Sequence, residues 1–339
     1  MTMADNVGSG LEAGRQSRPT INHGHPADYP IAADLQPHLA SANPPSGVLN
    51  DGAQPGTTPP PRPKRRLMAR DVSELSSWLS ERDMAVLQSV SDHQFLTVRQ
   101  VEALHFGDHA PTSGARIARR TMERLREYGA LGTLERRIGG LRAGSAGLIH
   151  YLDSVGDQLL HGRSGRAARR RKVEPSSRFL DHRLAVADAH VALVDAARLG
   201  ALEVVACAVE PQAWRRYTGH GGARLILKAD LSADTAVPPG SEIVHGWFIE
   251  VDLGHEGIQT LLKKCRDYED YRRSGVEQER TGSFPVVIWS MTHTDPTKAE
   301  RRRTALRAAI DADHSLPSSL FRIVTPQQLI PLITAGGQL

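Results

Sequence analysis

Two apolar segments carry carboxylates where β-strands are predicted to end: Leu225-Ile226-Leu227-Lys228-Ala229-Asp230-Leu231 and Trp247-Phe248-Ile249-Glu250-Val251-Asp252. Glu250 and Asp252 are two residues apart on one strand, so the pleat directs both side chains to the same face. Asp230 on a neighbouring strand can converge on them. Three carboxylates in one place suit Mg²⁺ or Mn²⁺, which prefer oxygen ligands. The sequence therefore predicts a metal site made of Asp230, Glu250 and Asp252.

The predicted helix at residues 257–273 follows the second strand and adds basic and aromatic side chains. An Asp, then Glu-x-Asp, then a basic helix resembles the PD-(D/E)XK nuclease superfamily, and the resemblance implies metal-dependent hydrolysis of phosphodiester bonds. Asp230 and Glu250 match the two acidic positions of that motif. Asp252 is a departure, because it occupies the position where the family normally has its lysine. An acid cannot supply the positive charge of that lysine.

Two lysines are candidates for the missing cation. Lys264 on the helix can reach back over the acids, and with Tyr268 four residues later it is similar to the helicase-associated exonuclease branch of the superfamily. Lys228 shares the predicted strand face with Asp230. Glu210, at the end of the preceding strand, is a further candidate ligand. The predicted catalytic residues are Asp230, Glu250, Asp252 and Lys264.

The elements predicted around these residues define an αβββαβ order with an appended helix and strand. They are a helix at 180–199, strands at 202–210, 223–231 and 242–252, a helix at 257–273, a strand at 285–291, a helix at 297–310 and a strand at 320–324. This is the core order of the PD-(D/E)XK fold. The nearly continuous apolar runs at 202–209 and 286–289 are typical of central strands covered on both faces. Residues 179–335 are thus predicted to form a PD-(D/E)XK-like domain.

Residues 71–161 are predicted to form a different domain, a winged helix-turn-helix. Ser80 can cap one helix, and Thr97 with Gln100 forms a capping-box pattern before a second. A third helix at 112–128 ends at Gly129. Strands at 131–137 and 147–152 follow, joined by a glycine-rich loop. The predicted fold class is therefore α/β and α+β, with a winged helix preceding the nuclease-like domain.

Clustered arginines in the winged helix predict binding to double-stranded DNA. Apolar residues occupy one face of the third helix, and Arg116, Arg119 and Arg120 lie on the other. The hairpin contributes a second group, where a wing would meet phosphate: Arg136, Arg137 and Arg142. An ordinary solvated helix face or a protein contact is the competing interpretation, since Glu123 and Glu127 lie among the arginines.

Composition predicts a polar segment before the winged helix and another between the two domains. Residues 1–66 are predicted to be a disordered basic tail, and residues 162–178 a basic linker. The chain of 339 residues has a net charge of +4 and a pI near 9.2. It contains no apolar run long enough for a membrane span and no signal-peptide pattern, so the prediction is a cytoplasmic protein without membrane contact. The two cysteines predict neither a disulfide framework nor a zinc site.

A resemblance to one family covers residues 71–330. The segments that carry it are Tyr151-Leu152, Phe179-Leu180-Asp181-His182-Arg183-Leu184, Lys228-Ala229-Asp230, Ile249-Glu250-Val251-Asp252-Leu253-Gly254 and Lys264-Cys265-Arg266-Asp267-Tyr268. Together they resemble the replication-relaxation family of plasmids and mobile elements. The resemblance implies a role on mobile DNA, with other replication or conjugation proteins as partners.

Two functions remain open, and a protein-interaction role for the winged helix is a third possibility. The first is Mg²⁺-dependent nicking or processing of DNA at a plasmid or mobile-element site. The second is a non-catalytic DNA-binding regulator or relaxosome accessory factor that uses the nuclease fold as a scaffold. The predicted helix at 180–199 borders the site in the nuclease family, so His182 and Asp188 can approach it. A role on the helix surface is favoured for both.

Overall fold

The computed structural model of this protein describes residues 69–137, 147–162 and 175–338. The predicted basic tail, Arg142 and most of the predicted linker lie outside the described residues. The chain belongs to the mixed α/β class, with helices and mixed sheets. Within the described ranges, no helix is both long and apolar enough to cross a membrane.

The N-terminal half of the described chain is built from five helices and a three-stranded antiparallel sheet with the order β1-β3-β2. In chain order the elements are α1 (Ala69–Trp78), α2 (Glu81–His93), β1 (Leu96–Thr97), α3 (Val98–His105), α4 (Pro111–Glu127), β2 (Leu131–Arg137), β3 (Leu148–Leu152) and α5 (Ser154–His161). The three predicted helices and two predicted strands are all present. The short strand β1 and helices α1 and α5 add to them.

The helix boundaries in this half follow the predicted local signals. Ser80 accepts a hydrogen bond from the backbone N–H of Asp83 and completes a capping box at the start of α2. Thr97 and Gln100 form a second capping box at the start of α3. Gly129 follows α4 with a φ of +71°, a conformation that favours glycine. These reciprocal bonds satisfy amide groups that have no partner inside the helix.

The C-terminal half surrounds a five-stranded mixed sheet with the order β10-β9-β8-β7-β4. Its elements are α6 (Ser177–Arg198), β4 (Glu203–Val209), β5 (Arg215–Thr218), β6 (Arg224–Leu227), β7 (Leu231–Ala236), β8 (Val244–Asp252), α7 (Ile258–Ser274), α8 (Val276–Thr281), β9 (Val286–Met291), α9 (Pro296–Ala312), β10 (Phe321–Val324) and α10 (Leu329–Thr334). Strands β8, β9 and β10 are parallel, whereas β7 is antiparallel to both β8 and β4.

Two strand predictions are wrong. The apolar run at 202–209, predicted as a central strand, lies in β4 at the edge of the sheet, where Val205 is exposed. Another predicted strand is wrong in its bounds. The segment predicted as a strand at 223–231 divides into β6, which forms a separate hairpin with β5, and the first residue of β7. The rest of β7 has the sequence Ser-Ala-Asp-Thr-Ala, which is too polar and small for an apolar pattern to reveal. Pairing with β4 on one side and β8 on the other makes this segment a central strand despite its composition.

Strand β8 separates the two sides of the core. Trp247 and Ile249 pack with residues of α6 and α10, whereas Phe248 packs on the opposite side with residues of α7 and α9. Glu250 lies on the same side as Phe248, because side chains alternate along a strand. The predicted alternation of apolar and acidic residues in this strand is confirmed.

Helix α6 holds the two halves together through buried polar contacts. The side-chain amide of Gln100 in α3 donates to the Leu184 carbonyl at 2.9 Å and to Asp188 at 2.7 Å. Arg183 is fully buried and donates from Nε to the His93 carbonyl at 3.1 Å. Since these donors are satisfied only when α6 contacts α2 and α3, they fix how the halves meet.

Four histidines, two buried and two partly buried, predict that stability falls in mild acid. Burial lowers the pKa of His93 to about 3, and it lowers the pKa of His105, His150 and His190 to about 4. Between pH 6.5 and 4.5 the unfolded chain takes up protons that the folded protein does not. Each histidine then removes up to about 1.4 kcal/mol of stability per pH unit. Urea unfolding at pH 7 and pH 5 measures this loss, and equal stability at both pH values would contradict it.

Candidate active site

Two acidic residues meet where β7 begins and β8 ends. The strands are antiparallel and Leu231 pairs with Ile249, so Asp230, just before β7, lies beside Glu250 near the end of β8. Both side chains are buried, with exposed fractions of 6% for Asp230 and 1% for Glu250. The backbone N–H of Val251 donates to Asp230 Oδ2 at 2.9 Å and fixes that carboxylate.

Lys264 of α7 bridges the two acids. Its ammonium donates to Glu250 Oε2 and lies 3.4 Å from Asp230 Oδ1. Tyr268, one helical turn further along the same face of α7, donates its hydroxyl to Glu250 Oε1. The structure thus brings together Asp230, Glu250 and Lys264 as the sequence predicted, and it gives Tyr268 a polar contact as well as a place in the core.

His182 of α6 completes the cluster. This position differs from the role on the helix surface that the sequence favoured. Its Nε2 lies 3.5 Å from Asp230 Oδ1. Asp188, two turns along α6, bonds instead to Gln100 of α3 and lies at the contact between the two halves. The side chains of Lys264 and His182 are 28% and 29% exposed, so solvent reaches the cluster on their side.

The two carboxylates differ in their affinity for a proton. Burial and the negative charge of Asp230 raise the pKa of Glu250 well above its usual range. Burial opposes ionisation of Asp230 too, but the Lys264 ammonium, His182 and the Val251 amide together hold its pKa below its usual range. The pKa of Lys264 is raised despite burial, because both acids favour its charged form. Paired acids with pKa values pushed apart are a frequent feature of catalytic sites.

Asp252 lies on the same strand face but has a different partner. Arg302 of α9 contacts both of its carboxylate oxygens, from Nη2 at 2.8 and 3.0 Å and from Nε at 3.1 Å. The backbone N–H of Gly254 donates to Asp252 Oδ1 at 3.2 Å. Across the described ranges, no three His, Cys, Asp or Glu side chains form a group arranged to hold a metal ion. The predicted three-carboxylate site stays a prediction.

The chemistry of the cluster still fits a divalent ion. Mg²⁺ is usually held by one or two carboxylates together with waters and substrate phosphates, and Asp230 and Glu250 supply that number. The Lys264 ammonium contacts one carboxylate oxygen of Asp230 and one of Glu250, so this pair of acids already attracts a cation. Asp252 would join them only by giving up its two-oxygen contact with Arg302.

The other sequence candidates lie in distinct environments. The ammonium of Lys228 lies 5.1 Å from the centre of the Trp214 ring, and β6 ends before it, so the predicted strand face shared with Asp230 is wrong. Glu210 pairs with Arg183. Three of the predicted DNA-binding residues are exposed on α4: Arg116, Arg119 and Arg120. Arg136 and Arg137 belong to β2.

Sequence reasoning did not identify Arg302 or assign His182 to the cluster. Arg302 is fifty residues from Asp252 along the chain, and its local signal is only a basic position in a helix. His182 had a signal, because its helix was expected to border the site.

Comparison with known proteins identifies one family. The family model described as replication-relaxation matches residues 87–287, which is more than half of the chain. No match was found among curated proteins or among solved structures. The matched range contains α4, the β7–β8 pair and all of α7. It therefore includes Asp230, Glu250 and Lys264. This chain belongs to the replication-relaxation family, and membership indicates a role in the replication or relaxation of mobile elements.

Proposed function

We propose that this protein binds double-stranded DNA in the cytoplasm and nicks or processes it with Mg²⁺ or Mn²⁺ at a plasmid or mobile-element site. One observation carries the proposal: two buried carboxylates from adjacent strands share a single partly exposed lysine. Phosphodiester hydrolysis needs carboxylates to hold a metal ion and a cation to stabilise developing charge. The acids and Lys264 supply both requirements in one place.

The architecture supports this proposal. In the C-terminal half the sheet and its helices follow the order α6, β4, β7, β8, α7 and β9, which is the αβββαβ order of the PD-(D/E)XK fold. In the N-terminal half α2, α3 and α4 precede the β2–β3 hairpin, as in a winged helix-turn-helix, with α4 as the helix for the major groove. We interpret the halves as nuclease-like and DNA-binding, respectively.

Each residue of the cluster has a distinct part in the proposed reaction. Asp230 and Glu250 would hold the metal ion, which supplies charge neutralisation at the scissile phosphate and a more acidic attacking water. Lys264 stabilises the negative charge that builds up during attack, because its ammonium already lies at the two acids. Tyr268 fixes the orientation of the Glu250 carboxylate through its hydroxyl.

A cleavage assay tests the enzymatic part of the proposal. Wild-type protein is incubated with supercoiled plasmid, linear duplex and single-stranded DNA, in Mg²⁺ and separately in Mn²⁺, and the products are resolved on gels. Nicking or cutting of at least one substrate that stops on chelation is the expected result. Intact DNA under all conditions would contradict catalysis.

A specific observation favours the second candidate function, a DNA-binding regulator or relaxosome accessory factor without catalysis. Arg302 contacts both carboxylate oxygens of Asp252, and the Lys264 ammonium neutralises negative charge at Asp230 and Glu250. Such pairs also occur as purely structural contacts in buried sites. DNA binding without cleavage in the assay above would establish this alternative.

The DNA-binding half of the proposal predicts a salt-dependent interaction through α4. The logarithm of the DNA affinity should fall linearly with the logarithm of the salt concentration, with a slope of about −0.9 for each neutralised phosphate. Replacing both Arg119 and Arg120 with alanine should weaken binding and reduce that slope, because both side chains are exposed on α4. Fluorescence anisotropy with a labelled duplex measures both quantities. Unchanged affinity in the double variant would exclude α4 as the main contact.

A further inference from the structure

A basic cleft lies at the ends of the parallel strands β8 and β9, where its Arg302 contacts Asp252. It has a volume of about 330 Å³. We call it the α9 cleft, and it is lined by Gly254, Ile258, His293, Lys298, Arg301, Arg302 and Ala305. Its lining contains cationic side chains and no acidic one. Ligands of open α/β sheets commonly bind outside the carboxyl ends of parallel strands, where this cleft is found.

Three basic residues of α9 share one helix face with an alanine. Lys298, Arg301, Arg302 and Ala305 have the spacing i, i+3, i+4 and i+7, which places them in a row along the helix. Ala305 is small and leaves room at the C-terminal end of that row. The cations are therefore presented to a common space.

Two of these cations are available to a ligand. Lys298 and Arg301 are exposed, and neither forms an ion pair with a carboxylate in the part of the chain that the structure describes. Their neighbour Arg303 differs, because it pairs with Glu300 and also donates to the Met291 carbonyl at 3.1 Å. Arg302 is already bound to Asp252. An anion in the α9 cleft would thus meet two cations that form no ion pair within the described residues.

His293 adds a directed hydrogen-bond donor. Its Nδ1 accepts from the backbone N–H of Asp295 at 2.9 Å, so the ring hydrogen of the neutral form is on Nε2. Gly254 faces this ring edge, with a φ of +82°, and a Cβ there would lie 2.5 Å from His293 Cδ2. Only glycine fits this wall of the cleft. The backbone N–H groups of Thr297 and Lys298 at the start of α9 donate to the Asp295 side chain, so the proposed ligand site does not include them.

We propose that the α9 cleft binds a backbone phosphate of the DNA, held by Lys298, Arg301 and His293. This inference rests on the proposed function, and it gives the acidic cluster a defined position on its substrate. Arg302 lines the cleft and also binds Asp252, two residues from Glu250. A phosphate in the cleft therefore belongs to a nucleotide close to the scissile bond, and it would fix the register of the strand.

DNA affinity without metal tests the cleft independently of cleavage. Fluorescence anisotropy of a labelled duplex is measured in EDTA over a salt series, with full-length wild-type protein and with Lys298→Gln/Arg301→Gln. We expect about ten-fold weaker binding, the effect of losing one or two charge-assisted hydrogen bonds. The slope of log affinity against log salt should fall by about 0.9 for each lost phosphate contact.

A matched double variant separates the cleft from the general effect of charge. Lys263→Gln/Arg266→Gln removes the same charge from exposed residues of α7 that already pair with Asp267 and Asp313. It should bind DNA nearly as the wild type does. Ala305→Glu places an anion inside the cleft and should weaken binding, whereas Ala305→Lys at the same position should not.

Several outcomes would overturn the inference. Equal losses in the two double variants, or wild-type affinity in both Lys298→Gln/Arg301→Gln and Ala305→Glu, would exclude a specific phosphate contact. Calorimetry with inorganic pyrophosphate tests whether the ligand of the cleft is a free phosphate compound. If wild-type protein binds pyrophosphate and Lys298→Gln/Arg301→Gln does not, while the two bind DNA equally well, the cleft binds such a compound instead of DNA. A wild-type protein that binds through the cleft but cuts no DNA would contradict only the nuclease proposal.

Discussion

Lys264→Ala should lower the rate of DNA cleavage about a thousand-fold, the effect of removing one positioned group that stabilises charge in the transition state. DNA affinity should change little. The ammonium contacts Glu250 and Asp230 inside the cluster. In the proposed reaction it would therefore act on the reacting phosphate more than on the flanking backbone. Single-turnover cleavage rates and anisotropy titrations on the same preparation separate these two effects.

Two controls accompany this variant. Removing one partner of a buried ion pair leaves the other charge uncompensated, which costs about 3–5 kcal/mol, so thermal unfolding must show that Lys264→Ala is folded at the assay temperature. Lys264→Arg keeps the positive charge and the pairing, and it should retain more activity than Lys264→Ala. Cleavage by Lys264→Ala at the wild-type rate would make Lys264 a structural cation.

Asp230→Asn and Glu250→Gln should each abolish the binding of Mg²⁺ or Mn²⁺. Each substitution removes a charged oxygen ligand but preserves the size of the side chain. Isothermal titration calorimetry, with DNA present and absent, measures the loss. Asp252→Asn provides the informative comparison, because Arg302 holds both oxygens of Asp252. Retained metal binding in that variant would limit the ligands to Asp230 and Glu250.

The matched control for charge is Glu300→Gln, which removes an exposed carboxylate on α9 that pairs with Arg303. It should bind metal as the wild type does. Wild-type protein that binds no metal in either condition would count decisively against the proposed site, and the acids would then be structural partners of Lys264.

Local patterns predicted much of the fold and the central part of the candidate site. Alternation in β8 placed Glu250 and Asp252 on one face, because side chains alternate whatever the tertiary context. Helical spacing placed Lys264 and Tyr268 one turn apart on α7, where both contact Glu250. The capping residue Ser80 fixed the start of α2 in the same way, since its hydrogen bonds are local.

Long-range contacts account for what the sequence did not reveal. Strand β7 is polar and becomes a strand only through its two neighbours, so the apolar pattern placed the strand too early. The contact between Asp252 and Arg302 joins two distant elements, and no local period encodes it. The contact between His182 and Asp230 depends on how α6 packs across the sheet. The predicted wing residue Arg142 and the basic tail lie outside the described residues.

The nicking of supercoiled plasmid DNA by wild-type protein and by Glu250→Ala, purified in parallel, shows whether the acidic cluster cleaves DNA. Wild-type protein is expected to convert supercoiled to open-circular or linear DNA in Mg²⁺, and EDTA should prevent the conversion. Glu250→Ala should be inactive while still binding the plasmid. Equal activity of the two proteins would show that the cleavage does not depend on this cluster. Absence of cleavage by the wild type in both Mg²⁺ and Mn²⁺ would contradict the nuclease function itself.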